Sequence, residues 1–315
     1  MQRYRDYNTY LREIFGERVR RISLDAGLDC PNRDGTLSRL GCIFCDRRGS
    51  GTGAMIDRGK SIPDQVRKGA TTGGLRYGAR KFIAYFQSFT NTYGPPDRLK
   101  TLYDSALIHP GVVGLSVATR PDCVNEEILQ ILHSYRNRYL VWIEYGLQSS
   151  HEATLRRIHR GHTVAAFEKA LSMAHRFGLN VCAHVILGLP GETPEMMRQT
   201  ASYLGRLPLE GVKVHLLYVA RGTPLADLYE KGEFRCLERE EYADLVVDFL
   251  ERLPPSVVIQ RLTGDPFGVD LVAPMWALEK HRNLSLIRKR FEERNTWQGR
   301  RHTSNFSANR GELSD

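Results

Sequence analysis

The sequence predicts an α/β protein in which parallel strands and helices alternate along the chain. Over the first 235 of the 315 residues, short β-branched runs alternate with amphipathic, helical stretches. Six such units occur at a spacing of about 30 to 35 residues, the length of a strand, a helix and their connecting loops. This periodicity leaves two arrangements open, a barrel and a doubly wound open sheet.

Each strand candidate is a short run dominated by β-branched and other apolar residues, and each helix candidate repeats its apolar residues every three or four positions. The predicted strands are residues 19–24, 81–87, 112–119, 140–146, 181–187 and 212–219. The predicted helices are residues 63–77, 97–108, 125–136, 164–177, 194–207 and 225–231. A helix thus follows each strand, as a parallel sheet requires.

The pattern changes after Gly232. A charged helix is predicted at 237–253, and a Pro-Pro pair then interrupts the chain before a short strand candidate at 257–262. We therefore divide the chain into a core of parallel units with an N-terminal arm, residues 1–235, and a helical, basic extension, residues 236–304. The last residues, 305–315, are predicted to form a disordered tail.

The composition is that of a globular protein with an excess of positive charge. Hydrophobic residues make up 41% and charged residues 26%, and 45 Lys and Arg against 36 Asp and Glu give a net charge of +9. Such an excess favours a polyanionic partner. Because only nine of these cations are Lys, an Arg-rich codon preference explains the excess equally well at this point.

Neither a membrane span nor a secretory signal is visible in the sequence. No run of about eighteen apolar residues occurs, and the first residues are polar and charged. We therefore expect a cytoplasmic protein with no membrane partner. In that reducing compartment, clustered cysteines act as metal ligands or catalysts more often than as disulfides.

Three of the six cysteines, Cys30, Cys42 and Cys45, lie close together directly after the first predicted strand. Thiolates bind soft metals, and a Cys-x-x-Cys pair presents two sulfurs to one centre. A structural zinc ion needs a fourth ligand, yet no histidine occurs before His109. A four-iron cluster held by three cysteines instead leaves one iron open, so the sequence favours a cluster over zinc or a redox disulfide.

The segment CPNRDGTLSRLGCIFC, which contains these three cysteines, resembles the cluster loop of radical S-adenosylmethionine (SAM) enzymes. Its first two cysteines are farther apart than is usual in that superfamily, and the spacing is similar to that of the Elongator catalytic subunit. It is more similar still to that of the small bacterial YhcC/YtqA proteins, which share the CPNRDGT segment. Further matching segments follow in the expected order: TRPD at 119–122, EYGLQS at 144–149, RGHT at 160–163, GLPGET at 188–193 and RGTPL at 221–225.

The resemblance implies the fold class and the cofactors. The fold is then a partial (β/α)6 barrel, open on one side, with a C-terminal α-rich extension. Cys30, Cys42 and Cys45 would hold a [4Fe-4S] cluster, and SAM would chelate its fourth iron. Reductive cleavage of the bound SAM releases a 5′-deoxyadenosyl radical, with which the reactions of this superfamily begin.

The resemblance also implies contacts to SAM. Phe44 matches an aromatic residue beside the adenine, whereas Gln148 and Arg160 match residues that hold the ribose and the methionine carboxylate in the coproporphyrinogen-dehydrogenase type. His184 replaces an aspartate of that type, and it is equally well explained as a buried histidine with satisfied hydrogen bonds. The predicted cofactor-binding residues are Phe44, Gln87, Ser88, Thr119, Gln148, Arg160 and His184.

Three further residues are catalytic candidates. Glu144, in the fourth strand, is a candidate because the third strand carries Ala118 where several relatives place a glutamate; that contact is either lost or supplied by Glu144. Cys123 follows the TRPD segment at the carboxyl end of the third strand, where the active sites of such barrels lie. Tyr218, near the end of the sixth strand, is placed to donate a hydrogen or to stack on a substrate. A packing role explains Cys123 and Tyr218 as readily.

Two features favour tRNA as the substrate. The Elongator subunit, which the chain resembles, modifies wobble uridine, and the segment 280–310 carries nine Lys or Arg but only two Glu, with aromatic residues interleaved. The resemblance to the YtqA type implies conversion of a carboxymethylaminomethyl group at C5 of that uridine to aminomethyl, with flavodoxin or ferredoxin as electron donor. Two alternatives stay open: a small-molecule or tetrapyrrole substrate, and a non-catalytic protein that handles a cluster or haem.

Overall fold

A curled sheet of seven parallel strands carries the fold. The structure is a computed structural model that describes residues 2–49 and 60–303, so the predicted tail at 305–315 lies outside the described residues. The strands are β1 (Val19–Leu24), β2 (Lys81–Phe86), β3 (Val112–Thr119), β4 (Leu140–Gln148), β5 (Asn180–Leu187), β6 (Gly211–Leu216), β7 (Val219–Ala220), β8 (Val258–Arg261) and β9 (Leu271–Ala273). The sheet has the order β1-β2-β3-β4-β5-β6-β8, while β7 and β9 form a separate antiparallel pair.

The α/β class and the parallel arrangement predicted from the periodicity are confirmed. All six predicted strands form, and the first and third occupy the predicted residues. The strand candidate at 257–262 also forms, as β8, and it adds a seventh strand to the same sheet instead of starting another layer. Its position is physically reasonable because β6 would otherwise be an edge strand with unpaired N–H and C=O groups.

Helices connect the strands and cover the outer face of the sheet. The helices are α1 (Tyr7–Phe15), α2 (Ile62–Tyr77), α3 (Pro96–Ala106), α4 (Glu126–Ser134), α5 (Glu152–Arg157), α6 (Val164–Arg176), α7 (Pro194–Gly205), α8 (Pro224–Glu230), α9 (Arg239–Leu250) and α10 (Lys280–Glu293). In the described part of the chain, none of them is long and apolar enough to cross a membrane.

Threonine caps fix the starts of three helices that follow strands. Thr163, Thr193 and Thr223 precede α6, α7 and α8, and each side chain accepts a hydrogen bond from a backbone N–H of the first turn. In α7 and α8 a proline occupies the first helical position, where its missing N–H costs nothing. These caps end the loops at the carboxyl edge of the sheet and so hold those loops in place.

Alternation along the strands separates an apolar outer face from a polar inner face. In β4, Val141, Ile143 and Tyr145 belong to the hydrophobic core between the sheet and the helices. Glu144 and Gly146, which alternate with them, line a cavity on the concave side. Because successive side chains point to opposite faces of a strand, one short run supplies both the core and the cavity.

Helix α1 closes the amino-terminal end of the curled sheet. Tyr7 and Leu11 of α1 are buried with Trp142 and with residues near the starts of five other strands. The Trp142 ring meets the rings of Tyr7 and Tyr10 edge to face, at centroid distances of 6.2 and 5.9 Å. The cavity therefore opens at the carboxyl ends of the strands, where parallel barrels place their active sites.

Helix α10 packs on α9, and ion pairs join the two helices. Arg290 of α10 and Arg294, directly after it, both contact carboxylates of α9. Six of the eight Lys and Arg at residues 280–303 form ion pairs, and the two others, Arg288 and Arg300, have no acidic partner among the described residues. Most of the positive charge that the sequence concentrates in this segment is therefore balanced locally.

Candidate active site

The carboxyl ends of the strands surround a cleft of about 1180 Å³, a volume that includes the solvent at its open mouth. A cleft at this edge of a parallel sheet is the usual place for a ligand site. All but two of the site residues predicted from the sequence line it. Those lining residues are Cys30, Cys42, Phe44, Cys45, Gln87, Thr119, Glu144, Gln148, Arg160, His184 and Tyr218.

The long loop after β1 carries the three cysteines to one wall of this cavity. Backbone hydrogen bonds join Ile43 of the loop to Ile158 after α5 and to Leu225 of α8. Cys30, Cys42 and Cys45 are free thiols, and the first two are buried. The loop is therefore held in place by two neighbouring segments.

Three side chains donate hydrogen bonds to the cysteine sulfurs. The Sγ atom of Cys42 accepts from Nδ2 of Asn32 at 3.6 Å and from Nη1 of Arg160 at 3.5 Å. The Sγ atom of Cys45 accepts from Nη1 of Arg33 at 3.5 Å. Two of these donors are cationic, so the site favours negative charge on the sulfurs, as bound thiolates require.

At least one pair of the three cluster-loop sulfurs lies farther apart than a single metal ion would hold them. Zinc–sulfur bonds of about 2.3 Å place any two sulfur ligands of one ion within roughly 4.6 Å of each other. Among the described residues, only the group of Glu144, Cys182 and His184 has all its ligand atoms within 4.8 Å of one another, and the three cluster-loop cysteines do not form such a group. A [4Fe-4S] cluster holds each cysteine on a different iron and tolerates the wider spacing.

Arg160 links the cluster loop to β4. Its Nε and Nη2 atoms donate to the carbonyl oxygen of Gly146 at 3.2 and 2.8 Å, while Nη1 points to Cys42. A Cβ at position 146 would lie 2.5 Å from Nη2 of Arg160, so a larger residue there would displace the guanidinium. The predicted contact of Arg160 with the methionine carboxylate of SAM remains a prediction.

A local irregularity turns Gln148 into the cavity. Its φ of 77° lies in the left-handed region, and the register between β4 and β5 shifts at this point. Such shifts often redirect a side chain beside an active site. They explain why Gln148, at the end of a buried strand, lines the cavity.

Arg120, in the TRPD segment, is a second buried cation close to the cysteines. Its Nη1 donates to the carbonyl of Arg160 at 2.8 Å, and its Nε and Nη2 reach both oxygens of Asp122 at 2.9 and 2.7 Å. Although burial opposes the charge, the bonds to Asp122 and the nearby Cys30 and Cys42 raise the pKa of Arg120. The segment thus places a permanent positive charge behind the cluster loop.

Glu144 is fully buried at the centre of the inner face. Its carboxylate accepts hydrogen bonds from Oγ of Ser116, from Nζ of Lys213 and from Nε2 of His184, the last at 2.6 Å. Burial would raise the pKa of Glu144, but the Lys213 charge and the His184 hydrogen bond outweigh it and hold the pKa well below its usual range. Glu144 is therefore an anion with three donors around it.

Burial lowers the pKa values of both basic partners of Glu144. Burial lowers the pKa of His184 to about 4, and the nearby Lys213 charge adds to the effect. Burial also lowers the pKa of Lys213 to about 7, although Glu144 opposes that shift. At neutral pH the His184 ring is uncharged and donates Nε2–H to Glu144, which leaves its Nδ1 as an acceptor.

The other lining residues are held mainly by packing. The Phe44 ring packs against an apolar cluster that includes Ile43. The Tyr218 ring lies next to Gly264, where a Cβ would be 3.1 Å from it. Hydroxyl oxygens of Thr119 and Thr92 are 2.6 Å apart.

Two predicted residues do not line the cavity. Ser88 is buried behind the neighbouring Gln87, and its hydroxyl has no hydrogen-bond partner among the described residues. Cys123 ends the short turn Pro121–Cys123 after β3. Burial and the adjacent Asp122 raise the pKa of Cys123 to about 12, so its sulfur remains a protonated thiol.

The structure adds site residues that the sequence did not single out. Asn32 and Arg33 lie inside the CPNRDGT segment, and Arg120 lies inside TRPD, so both motifs already contained them. Lys213 and Arg261 had a weaker signal, a single cation within an otherwise apolar strand. A charged residue in such a strand is rare unless it is paired, and for Lys213 the partner is distant in sequence.

Alanine at position 30, 42 or 45 should abolish the visible absorbance and the bound iron of the anaerobically reconstituted protein, because each residue supplies one sulfur ligand. The measurement is an absorption spectrum with an iron assay. Cys123→Ala and Cys236→Ala are matched controls, since neither residue lines the cavity. Full colour and iron in any of the three cluster-loop variants would contradict the assignment of that ligand.

Lys213→Met should lower the free energy of unfolding by about 3 to 5 kcal/mol, because it leaves the Glu144 carboxylate buried without its ammonium partner. The double variant Glu144→Gln/Lys213→Met should recover most of that loss, since a neutral amide needs no counter-charge. Denaturant titration of Lys213→Met, Glu144→Gln and the double variant measures both effects. Simple addition of the two single losses would show that the pair does not act as a unit.

Comparison with known proteins gives the family. Residues 36–204 match the Radical SAM superfamily, and residues 209–293 match the Radical_SAM C-terminal domain. The chain is 39% identical over 305 residues to the protein YtqA of Bacillus subtilis, covering 95% of this chain and 92% of YtqA. It is 33% identical over 157 residues to a tRNA uridine(34) acetyltransferase of Methanocaldococcus infernus, covering 49% of this chain and 29% of that protein.

A solved structure gives the same fold. The archaeal Elp3 of Methanocaldococcus infernus, with an N-terminal deletion, matches 89% of this chain and 64% of its own at a TM-score of 0.65 and 18% identity. The predicted cofactors, a [4Fe-4S] cluster and SAM, are those of the superfamily. The chain therefore belongs to the radical SAM superfamily and, within it, to the YhcC/YtqA family.

Proposed function

We propose that this radical SAM enzyme acts on the wobble uridine of tRNA and converts a carboxymethylaminomethyl group at C5 to aminomethyl. The observation that carries the proposal is the cavity itself, which joins a wall of three thiols to the buried Glu144–His184 pair at the carboxyl ends of the strands. The similarity over about half of this chain to a protein named for tRNA uridine 34 supports this substrate class.

The reaction needs an oxidation followed by a hydrolysis. Held by Cys30, Cys42 and Cys45, the cluster together with SAM would supply the oxidising chemistry and take up the hydrogen atom and the electron that the side chain loses. The side chain is then an iminium ion, water adds to its carbon, and the carbon–nitrogen bond breaks. The products are the aminomethyl group and glyoxylate.

The residues of the inner face are suited to the hydrolytic part. The neutral His184 ring offers Nδ1 to the attacking water, and Glu144 stabilises the ring when it takes up a proton. Lys213 shares the same carboxylate oxygen, and its pKa of about 7 matches it to proton exchange near neutral pH. Through Glu144, the buried Lys213 can thus exchange a proton with the cavity.

The proposal includes three further expectations from the sequence. A flavodoxin or a ferredoxin supplies the electron that starts SAM cleavage, since radical SAM enzymes need a reductant. The protein works in the cytoplasm, where its tRNA substrate is found. The 280–310 segment contributes to RNA binding, and its two cations without acidic partners among the described residues, Arg288 and Arg300, are the first candidates for phosphate contacts.

Nucleoside analysis of tRNA from a strain that lacks the gene tests the substrate directly. The carboxymethylaminomethyl nucleoside should accumulate and the aminomethyl nucleoside should fall, and the purified, anaerobically reconstituted enzyme should reverse this with SAM and dithionite. The Cys42→Ala enzyme should neither cleave SAM nor convert the tRNA. The His184→Gln enzyme should still release 5′-deoxyadenosine while forming at least about 100-fold less product. An unchanged profile of C5-modified uridines would contradict the tRNA reaction.

The same assay separates the two alternatives. Release of 5′-deoxyadenosine and methionine without any change in tRNA would favour a small-molecule or tetrapyrrole substrate. Failure of the reconstituted protein to cleave SAM at all would favour a non-catalytic protein that handles a cluster or haem.

Replacing Arg288 and Arg300 with glutamine should weaken tRNA binding and lower the slope of log K against log salt by about one for each phosphate that is no longer neutralised. The physical reason is that these cations have no acidic partner among the described residues. Lys289→Gln/Arg290→Gln is the control, because both cations already contact carboxylates and have less charge to offer. A larger loss of affinity in the control than in the test variant would contradict this choice of surface.

A further inference from the structure

A second group of cavity residues comes from β6, β8 and the loop that follows β8. Arg261 is the last residue of β8 and lies beside Lys213 of β6 in the register of the sheet. His215, two residues after Lys213, shares its face of β6, because side chains alternate along a strand. Arg261, His215 and Asp265 all line the cavity, so this wall belongs to the same space as the cysteines.

This wall carries an uncompensated positive charge. Asp265 is shared by two cations: Arg261 contacts its Oδ2 at 3.1 Å, and Nζ of Lys280 contacts its two oxygens at 2.9 and 3.0 Å. Close by, Lys213 and Glu144 balance each other. Two cations on one carboxylate leave one positive charge, which suits a monoanionic ligand.

His215 supplies a polar atom without a protein partner. Its Nε2 is buried and has no hydrogen-bond partner among the described residues. Burial, together with the neighbouring His184 and Arg261, holds the pKa of His215 well below its usual range, so the ring is neutral. A buried polar atom without a partner destabilises the protein, and a bound ligand that hydrogen-bonds to it would recover that loss.

We propose that Arg261 and His215 form the subsite that binds the carboxylate of the substrate side chain. The inference rests on the function proposed above, and it adds the group by which the enzyme distinguishes its substrate from its product. A guanidinium binds a planar carboxylate through parallel N–H bonds, and a neutral imidazole N–H completes the contact. The aminomethyl product has no carboxylate, so it cannot make these hydrogen bonds and leaves the site more readily.

The test compares two nucleosides that differ in the carboxylate, 5-carboxymethylaminomethyluridine and 5-methylaminomethyluridine. Calorimetric titration into the reconstituted protein should give at least about tenfold tighter binding of the first, and Arg261→Gln should remove that difference, because a charge-assisted hydrogen bond is worth about 1.5 to 3 kcal/mol. Arg67→Gln, an exposed arginine of α2 that also pairs with one aspartate, should leave the preference unchanged. Arg261→Lys should restore part of it.

The outcomes separate this inference from the proposed function. If the wild-type enzyme prefers the carboxylate through Arg261 but converts no tRNA, the subsite stands and the tRNA reaction does not. If the wild-type enzyme converts tRNA while Arg261→Gln keeps the full nucleoside preference, the subsite is wrong. Inorganic phosphate is the second probe: stronger competition by phosphate than by glycine would mean that this wall binds an RNA phosphate instead of the carboxylate.

Discussion

The buried carboxylate of Glu144 is the interaction on which the inner face of the sheet depends. An isolated charge in that position would cost several kcal/mol, and it is tolerated because Lys213, His184 and Ser116 surround it with donors. These partners come from three strands, so satisfying one charge also fixes the relative positions of β3, β5 and β6 around the cavity. The same contacts hold His184 in one orientation and keep its ring neutral.

The positively charged residues of this protein fall into groups that differ in the partners they contact. Arg33, Arg120 and Arg160 are held around the cysteine loop, where they favour anionic sulfur. In α10 and the residues that follow it, by contrast, most cations contact carboxylates. A net charge of +9 therefore does not describe one basic surface: Arg261 lines the cavity and shares Asp265 with Lys280, whereas Arg288 has no acidic partner among the described residues.

Much of the architecture could be predicted from local sequence. The six parallel strands follow from their β-branched runs, and threonine-proline pairs such as Thr193-Pro194 mark helix starts. The place of β8 could not be predicted in this way, because its four residues carry no signal for which edge they join. The ion pairs of Arg290 and Arg294 with Asp244 could not be predicted either, because counting the charges of a segment does not show which distant residues they pair with.

The sequence by itself determined the α/β class, the clustering of three cysteines in one loop and the motifs that surround the cavity, because those features depend on short-range spacing along the chain. Only the tertiary structure decided which side chains meet. Glu144 and Lys213 are on different strands, and Arg261 reaches the cavity because β8 pairs with β6. Such contacts depend on strand order and on the face to which each residue points, and neither quantity is encoded in the local pattern of one segment.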